Sequence, residues 1–475
     1  MKALKLTPYP AYKTSGVERL GDIPVHWEVR RLQNVADMRV SNVDKHVKAD
    51  EKPIRLCNYV DVYKNDYINE QINFMRATAT TDEIERFRLE TDDVLITKDS
   101  ESWDDIGVPA LVTETAPDLI SGYHLALLRP RPDQVTGGYL FRTLQSNGLA
   151  YQFHIEAKGV TRYGLSRGGI KSVRVPVPPS SEQNAVARYL NHATERIHRY
   201  ISAKERLINL LEEQRQAVIH RAVTRGLDPD IRLKPSRVEW LGDVPMHWEV
   251  WRLKHAATLN PSRAESRSSL KPATAVTFLP MERVRSDGRI DSQEIIPASK
   301  VWNSFTYFRR NDVLVAKITP CFENGKGAHL RSLPTEIGFG STEFHVLRAK
   351  SFVLPQFLYL LTKTSDFRRL GADAMTGAAG QQRVPPSFLA NYSIPLPPLA
   401  EQTTIVEYLE KATTDIDAAA SRARRQIDLL KEYRTRVIAD VVTGKLDVRE
   451  AAFKLPEEPD ELSFPTKRMM HPRRR

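Results

Sequence analysis

The sequence contains few cysteines and no long hydrophobic run. Cys57 and Cys321 are its only cysteines among 475 residues, so they can form neither a disulfide framework nor a four-cysteine metal site. No segment approaches the roughly 20 apolar residues that a transmembrane helix requires. The first residues, MKALKLTPYPAYK, lack the apolar core of a signal peptide. We therefore expect a cytoplasmic protein that does not contact a membrane.

Acidic residues are outnumbered by basic ones. The chain has 59 Asp and Glu residues against 70 Lys and Arg residues, which gives a formal net charge of +11 at pH 7. A positive excess attracts polyanions without regard to their sequence, and it makes their binding dependent on salt. Nucleic-acid binding is therefore one interpretation, and a soluble protein that is merely basic is the other.

The most informative feature is an internal duplication. Residues 17–32 read VERLGDIPVHWEVRRL and residues 238–253 read VEWLGDVPMHWEVWRL, which are identical at 12 of 16 positions. An interval of about 220 residues greatly exceeds the roughly 20–50 residues of solenoid repeats. The chain therefore consists of two homologous halves, each large enough to bury a core of its own.

One long helix is predicted in each half. The helices follow VPVPPSSEQ (residues 175–183) and IPLPPLAEQ (residues 394–402), and their patterns stop at Gly226 and Gly444. Apolar residues recur at alternating steps of three and four, which is typical of a coiled-coil seam. We expect the two helices, each about 44 residues and about 65 Å long, to pack antiparallel. Packing onto their own domains or in an oligomer is the alternative.

The regions between these helices predict mixed α/β domains. VLIT (residues 94–97) and VLVA (residues 313–316) read as strands because they are rich in β-branched residues. A similar pair of segments aligns His124 with His345, and we interpret both as core or strand histidines. The predicted fold class is α+β, with two mixed α/β domains separated by two long antiparallel helices and related by a pseudo-twofold axis.

Two polar loops in each half differ between the copies while keeping their places. Residues 97–111 correspond to 316–330, and residues 159–169 correspond to 376–386. Their Arg, Lys, Gln, Thr and aromatic side chains are those that read base edges in DNA, although each one alone is also an ordinary solvated loop residue. The predicted DNA-binding residues are Lys98, Ser100, Trp103, Arg162, Tyr163 and Arg167 in the first half, and Lys317, Thr319, Lys326, Gln381, Gln382 and Arg383 in the second.

Motifs of catalysis are missing from the sequence. A phosphate-binding loop is excluded because Pro320 occupies the position of its first glycine, and no zinc-protease or Cys-x-x-Cys pattern occurs. The acidic residues Glu101, Asp104 and Asp105 could belong to a nuclease, but the second half has no equivalent. We therefore predict no catalytic residue and no metal site, and the sequence favours a binding scaffold over an enzyme.

The paired motifs resemble one known family. The GDIPVHWEVRRL and GDVPMHWEVWRL blocks, the P-x-P-P-x-x-E-Q helix entries and the helix exits are similar to those of the specificity subunit of type I restriction–modification systems, over essentially the full length. The resemblance implies two target-recognition domains that each read one half of a bipartite DNA target. It also implies two methyltransferase subunits, with S-adenosylmethionine, and translocating endonuclease subunits, with ATP and Mg²⁺. Those cofactors would bind the partner subunits and not this chain.

Further expectations follow from the resemblance. The blocks at His26-Trp27-Glu28 and His247-Trp248-Glu249 are expected to anchor each domain to the helices. Exposed helix faces are expected to contact the methyltransferase, or simply to be solvated, at Arg206, Arg215, Arg422 and Arg425. The predicted segments are a first domain (1–178), a central helix (179–225), a second domain (226–397), a second helix (398–448) and a basic, disordered tail (449–475).

Two other functions stay open on the sequence alone. The chain could be the specificity chain of a methylation-only system, because nothing in it distinguishes that system from full restriction. It could also be a scaffold or an anti-restriction decoy, which would bind DNA equally well whatever its sequence. Two different sets of loops predict an asymmetric target, but the bases and the spacer between the half-sites do not follow from side-chain types.

Overall fold

The computed structural model describes residues 6–268, 270–378 and 380–456. The chain forms two compact units. Unit 1 contains the described residues up to Lys204 together with those from Arg425 onward, and unit 2 is Glu205–Arg424. Each unit therefore holds one half of each long helix.

Unit 1 is built mainly from short strands. They are β1 (Tyr12–Thr14), β2 (Asp22–Pro24), β3 (Glu28–Arg31), β4 (Ala36–Val40), β5 (Lys52–Cys57), β6 (Tyr67–Ile68), β7 (Met75–Ala79), β8 (Val94–Thr97), β9 (Asp99–Ser100), β10 (Pro109–Val112), β11 (Leu119–Ser121), β12 (Leu125–Pro130), β13 (Lys158–Gly159), β14 (Tyr163–Gly164) and β15 (Arg174–Val177). Its helices before the long one are α1 (Leu32–Val35), α2 (Tyr59–Lys64), α3 (Thr81–Phe87), α4 (Gly137–Leu144), α5 (Asn147–Glu156) and α6 (Arg167–Ser172).

The core of unit 1 lies around a five-stranded sheet with the order β4-β12-β8-β10-β6. Strands β8 and β12 are buried along the runs VLIT and LALL, as expected for strands that are covered on both faces. Two three-stranded sheets, β11-β5-β7 and β13-β14-β9, and the pairs β1-β2 and β15-β3 complete the unit.

The first long helix, α7, spans Ser180–Arg225. Unit 2 then contains β16 (Leu233–Pro235), β17 (Asp243–Pro245), β18 (Glu249–Arg252), β19 (Ala257–Leu259), β20 (Ala275–Leu279), β21 (Ile295–Pro297), β22 (Thr306–Arg309), β23 (Val313–Ala316), β24 (Gly327–His329), β25 (Ile337–Gly340), β26 (Phe344–Ala349) and β27 (Ser393–Leu396). Its shorter helices are α8 (Leu253–Ala256), α9 (Pro355–Thr362), α10 (Ser365–Asp373) and α11 (Pro386–Asn391), with single 3-10 turns at Arg263–Ser266, Met281–Arg283 and Ala298–Lys300.

Two four-stranded sheets form the centre of unit 2, with the orders β19-β26-β23-β24 and β21-β20-β25-β22. The outer pairs β18-β27 and β16-β17 match β15-β3 and β1-β2 of unit 1. The strands that were predicted at VLIT and VLVA are confirmed as β8 and β23. The second long helix, α12, spans Leu399–Val442, and α13 (Arg449–Phe453) follows it in unit 1.

The long helices run antiparallel within each unit. In unit 2, Arg215 of α7 pairs with Asp417 of α12, while Gly226 just past the end of α7 lies beside Glu401 at the start of α12. In unit 1, Arg449, which follows the end of α12, lies 3.3 Å from Glu182 at the start of α7. The predicted fold class of mixed α/β domains with two long helices is thereby confirmed.

Both long helices end before a glycine, as predicted. Gly226 and Gly444 have φ values of 75° and 71°, in the left-handed region that glycine adopts without strain. A Cβ at Gly444 would lie 2.3 Å from Pro24, so this exit is also closely packed. The five-segment division of the chain stays a prediction. The structure differs at the start of the predicted tail, because Ala451 and Ala452 of α13 are buried; residues 457–475 lie outside the described residues.

Candidate nucleic-acid interface

The two variable loops of unit 1 meet in one small sheet. Strand β9 pairs with β14, so that Ser100 is opposite Tyr163, and β14 pairs in turn with β13. The backbone N–H of Leu165 donates to the carbonyl oxygen of Lys98 at 2.8 Å. Residues 97–111 and 159–169, which the sequence predicted as separate loops, therefore form one surface, the first loop pair.

Charged side chains meet at one end of the first loop pair. The carboxylate of Asp99 lies 2.8 Å from Nζ of Lys98 and 2.7 Å from Nδ1 of His124. The ring of Tyr123, which is 41% exposed, lies 3.7 Å from the ring of His124. Asp99, Tyr123 and His124 were not among the predicted residues. Tyr123 and His124 directly precede β12, and the carbonyl oxygen of His124 accepts the backbone N–H of Lys98 at 3.0 Å, a long-range contact that the sequence does not show.

The predicted residues of the first loop pair differ in accessibility. Trp103 is 48% exposed and rests edge-on against His154, and the side chains of Arg162 and Arg167 are exposed. Ser100 is instead buried, and its hydroxyl accepts the backbone N–H of Ser102. Ser100 therefore shapes the loop, and this placement argues against its predicted contact with bases.

The two variable loops of unit 2 meet in the same register. The N–H of Val384 donates to the carbonyl oxygen of Lys317 at 2.8 Å, and Ile318 pairs with Arg383. Each of these positions lies 219 residues after its counterpart in unit 1. There the N–H of Leu165 donates to the carbonyl oxygen of Lys98, and Asp99 pairs with Gly164. Residues 316–330 and 376–386 therefore form a second loop pair on an equivalent backbone.

Arg383 is held by a carboxylate at the second loop pair. Its Nε and Nη2 donate to the two oxygens of Glu343, each at 2.9 Å, and its Nη1 donates to the carbonyl oxygen of Gln381 at 3.1 Å. The hydrogen bonds from Arg383 hold the pKa of Glu343 below its ordinary value, so the pair is fully ionised near neutral pH.

The other predicted residues of the second loop pair fall into two groups. Gln381 is exposed, and Lys317 and Gln382 are half-buried at the surface. The Oγ1 of Thr319 contacts the sulfur of Met375 at 3.3 Å. Nζ of Lys326 donates to the carbonyl oxygen of Met281 at 3.0 Å, so this side chain is tied to its own unit. The placement of Lys326 argues against its predicted role in base contact.

The alignment of His124 with His345 is wrong. Thr97 and Ala316 occupy equivalent places at the ends of β8 and β23. Thr97 is opposite Leu125, and Ala316 is opposite Phe344. The residue before each of these partners is His124 in unit 1 and Glu343 in unit 2, so Glu343 takes the place of His124. His345 is 3% exposed, and its Nε2 lies 2.8 Å from the carbonyl oxygen of Val384. Burial lowers its pKa, and the interpretation as a core histidine is correct for this residue.

The repeated His-Trp-Glu blocks attach each domain to a long helix. Nε1 of Trp27 donates to Glu182 of α7 at 2.9 Å, and Nε2 of His26 lies 2.8 Å from the same carboxylate. In unit 2, Trp248 and His247 make the matching contacts with Glu401 of α12 at 3.0 and 2.8 Å. These contacts, which we call the tryptophan–glutamate clamps, agree with the predicted anchoring role.

The glutamine after each clamp glutamate fixes a second segment. The Nε2 of Gln183 donates to the carbonyl oxygens of Gln134 and Pro178, and its Oε1 accepts the N–H of Thr136, the N-cap of α4. Gln402 does the same with the segment before α9. The repeated Glu-Gln therefore joins each domain to its helix at two places.

Comparison with known proteins decides the family. The family described as "Type I restriction modification DNA specificity domain" matches residues 24–207 and 245–425. The chain belongs to this family.

The relatives of this chain match it over different shares of their length. The EcoEI specificity subunit of Escherichia coli is 37% identical over 216 residues, which are 45% of this chain and 36% of that protein. The putative MjaX specificity subunit of Methanocaldococcus jannaschii is 23% identical over 446 residues, 90% of this chain and 96% of that protein. The chain thus matches only about a third of the length of the EcoEI specificity subunit but nearly all of the length of the MjaX specificity subunit.

The fold of this specificity chain is similar to that of a solved chain. That chain comes from work on the complex assembly and conformational transition of the type I R-M system. It aligns with a TM-score of 0.64 and 16% identity, over 89% of this chain and 99% of its own length.

The four helix arginines of the specificity chain lie in two environments. Arg206, Arg422 and Arg425 are exposed. Arg215 faces the other long helix, where its Nε lies 3.0 Å from Asp417, and its side chain is 16% exposed. The prediction that Arg215 lies on an exposed helix face is therefore wrong. Arg434, 219 residues later, is similarly shielded, with a side chain that is 18% exposed and lies 2.7 Å from Asp66 in unit 1.

Large apolar side chains are also exposed on the long helices. They include Leu207 (40%) and Leu210 (58%) in unit 2, and Leu429 (57%) and Tyr433 (55%) in unit 1. Each pair is spaced three or four residues apart, so its members share a helix face.

Within the described ranges, no helix is long and apolar enough to cross a membrane, and no group of three or more His, Cys, Asp and Glu side chains could hold a metal ion.

Proposed function

We propose that this chain is the non-catalytic, sequence-specific DNA-binding subunit of a type I restriction–modification complex. In this proposal each unit reads one half of a bipartite target through its loop pair. Family membership supports the role, and one structural observation supports the reading surfaces. Both loop pairs are joined in the same backbone register but present different side chains.

The differences between the loop pairs favour an asymmetric target. The first pair presents Trp103, Arg162 and Arg167, whereas the second presents Gln381 and Arg383. Arginine suits guanine and glutamine suits adenine in the major groove, while an aromatic side chain contacts thymine methyl groups or stacks on bases. Two surfaces of such different composition would select different base sequences.

The long helices are proposed to bind two methyltransferase subunits. Exposed leucine and tyrosine side chains on a helix favour burial against a partner, and Arg206, Arg422 and Arg425 could form its polar rim. Adenine methylation with S-adenosylmethionine, and ATP- and Mg²⁺-dependent restriction by endonuclease subunits, would then belong to the partners. A cytoplasmic location follows from such a role.

The test is to express the chain with a methyltransferase subunit in a host that lacks adenine methylation, and to map modified adenines across the genome. The proposal expects one split motif with two defined halves and an unspecified gap. A contiguous motif would contradict reading by two units. An assembled complex that leaves the genome unmodified would instead favour a scaffold or decoy.

A second assay separates restriction from methylation alone. An endonuclease subunit is added to the same host, and the plating of unmodified phage is compared with that of phage grown on modified cells. Restriction of unmodified phage alone supports the full system. Equal plating alongside a mapped motif indicates a methylation-only specificity chain.

A further inference from the structure

We propose that Arg383 reads a guanine in the half-site of unit 2, and that Glu343 is the positioning residue that aims it. This inference rests on the proposed function, because it assigns a base and an orienting partner to one position of the second loop pair. The observations that support it are the fixed backbone of Arg383, the two-point contact with Glu343 and the donors that this contact leaves available.

The backbone of Arg383 is fixed from two sides. Its N–H donates to the carbonyl oxygen of Thr376 at 2.8 Å, and its carbonyl oxygen accepts the N–H of Thr376 at 3.0 Å. On its other side Arg383 pairs with Ile318, next to the end of β23. A long side chain that starts from a fixed backbone loses less freedom when it binds, which favours selective contact.

The guanidinium of Arg383 is fixed as well. Glu343 immediately precedes β26 of the central sheet, and it accepts from Nε and Nη2 in the two-point geometry that matches a carboxylate to arginine. Gln381 accepts from Nη1. An arginine has five N–H donors, so these contacts with described residues leave one donor on each terminal nitrogen.

Two donors on adjacent nitrogens match guanine. The O6 and N7 atoms of guanine accept a pair of hydrogen bonds from one guanidinium in the major groove, whereas adenine presents a donor in place of O6. The ion pair also makes a phosphate a less favourable ligand, because the charge of Glu343 offsets that of Arg383 and repels an anion. Arg383 is 44% exposed along its side chain, so a base edge can reach it.

Unit 1 cannot use the same contact. Gly164 occupies the place of Arg383, and His124 occupies the place of Glu343. The acidic group there is Asp99, which pairs with Lys98 and His124. The guanine contact is therefore specific to the half-site that unit 2 reads.

The experiment compares genome-wide adenine methylation by complexes with the wild-type chain, Arg383→Gln and Glu343→Gln. Duplexes that differ at one base pair of the mapped motif then compete for the purified complexes. Arg331→Gln is the matched control, because Arg331 forms an exposed ion pair with Glu410 in the same unit. Arg383→Lys tests whether a positive charge alone is sufficient.

In Arg383→Gln, discrimination in favour of guanine should fall about ten- to hundred-fold at one position of one half-site. Glu343→Gln should weaken discrimination at the same position by a smaller factor. Arg383→Lys should restore only part of it, and Arg331→Gln should leave the motif unchanged. The other half-site should be unaffected in every variant.

Three results would overturn the inference. These are an unchanged motif in Arg383→Gln, an altered position that is not guanine, and a uniform loss over all positions of the half-site, which marks a structural ion pair. If the complex with Arg383→Gln fails to assemble, Glu343→Gln tests the inference by the same methylation mapping and duplex competition. Glutamine has almost the same shape as glutamate, so this variant is expected to assemble. Absence of a split motif in the wild type contradicts the proposed function itself, which keeps the two failures distinct.

Discussion

The indole nitrogen of Trp27 donates a hydrogen bond to Glu182 at 2.9 Å, and this contact joins the first domain to the start of α7. Tyr9, His26 and Arg449 also lie within 3.3 Å of the same carboxylate. Trp27 is completely buried. Glu182 therefore connects the start of the chain, the long helix and the segment after α12 within unit 1.

Removal of the Glu182 carboxylate should destabilise unit 1 strongly. Glu182→Ala leaves two buried donors, Tyr9 and Trp27, without their acceptor, so we expect a loss of about 2–4 kcal/mol in the free energy of unfolding. Glu401→Ala should cost less, because the carboxylate of Glu401 is 27% exposed and accepts from only Trp248 and His247 among the described residues. Urea unfolding, with the exposed Glu213→Ala as control, measures both. Equal losses would contradict the central role of Glu182.

A buried ion pair is repeated in both units and should be equally important in each. Asp93 and Asp312 are almost fully buried, and they bind Arg129 and Arg348 through two hydrogen bonds each. Removal of one partner leaves a buried charge unpaired, so Arg129→Met and Arg348→Met should each cost about 3–5 kcal/mol. Thermal unfolding of the single variants tests this. Arg331→Met, which breaks an exposed ion pair, is the control. If Arg129→Met or Arg348→Met lowered the stability less than Arg331→Met does, the buried pairs would contribute little.

The stability of unit 2 should decrease in mild acid because of His329. Burial, followed by the nearby charge of Arg331, lowers the pKa of His329 from 6.5 to about 4. The folded state favours the neutral ring of His329. The contribution of this ring to the free energy of unfolding is therefore complete above pH 6.5 and is lost as the pH falls toward 4. The shift corresponds to about 3 kcal/mol, and solvent screening of this partly exposed ring reduces the expected loss to about 2 kcal/mol. His329→Gln should remove this part of the pH dependence in urea unfolding from pH 7 to 4, and identical profiles for the two proteins would refute the assignment.

A change in helix length should alter the spacer and not the half-sites. Insertion of four residues, about one helical turn, after Lys204 in α7 and at the matching place near Arg424 in α12 would lengthen both helices while keeping their pairing. Methylation mapping should then report both original half-sites with a different gap. An unchanged gap would contradict the idea that the helices set the spacing.

Much of the fold could be predicted because the signals were local and repeated. The heptad pattern and the glycines predicted α7 and the start of α12 to within one residue, whereas α12 ends at Val442, six residues before the predicted boundary. The buried strand runs predicted β8 and β23. The duplication also predicted which loops correspond. It could not show that the two loops of each half meet, because that contact joins residues more than 60 positions apart.

The site residues were harder to predict because side-chain direction depends on tertiary contacts. Ser100, Arg215 and Lys326 are polar residues in polar segments, yet each one turns toward its own unit. Glu343 was missed because local similarity placed His345 against His124, whereas strand register places Glu343 there. The clamp residues Glu182 and Glu401 appear in the sequence only as the glutamate of the repeated P-x-P-P-x-x-E-Q motif, which does not reveal their contacts with Trp27 and Trp248.

The most direct test of one unit reading one half-site changes each loop pair separately. One variant replaces Arg162, Tyr163 and Arg167 with alanine, and the other replaces Gln381, Gln382 and Arg383 with alanine. Each is expressed with the methyltransferase subunit, and the methylated motif is mapped. We expect the first variant to alter only one half of the motif and the second to alter only the other half. Changes in the same half, or in both halves at once, would contradict the account.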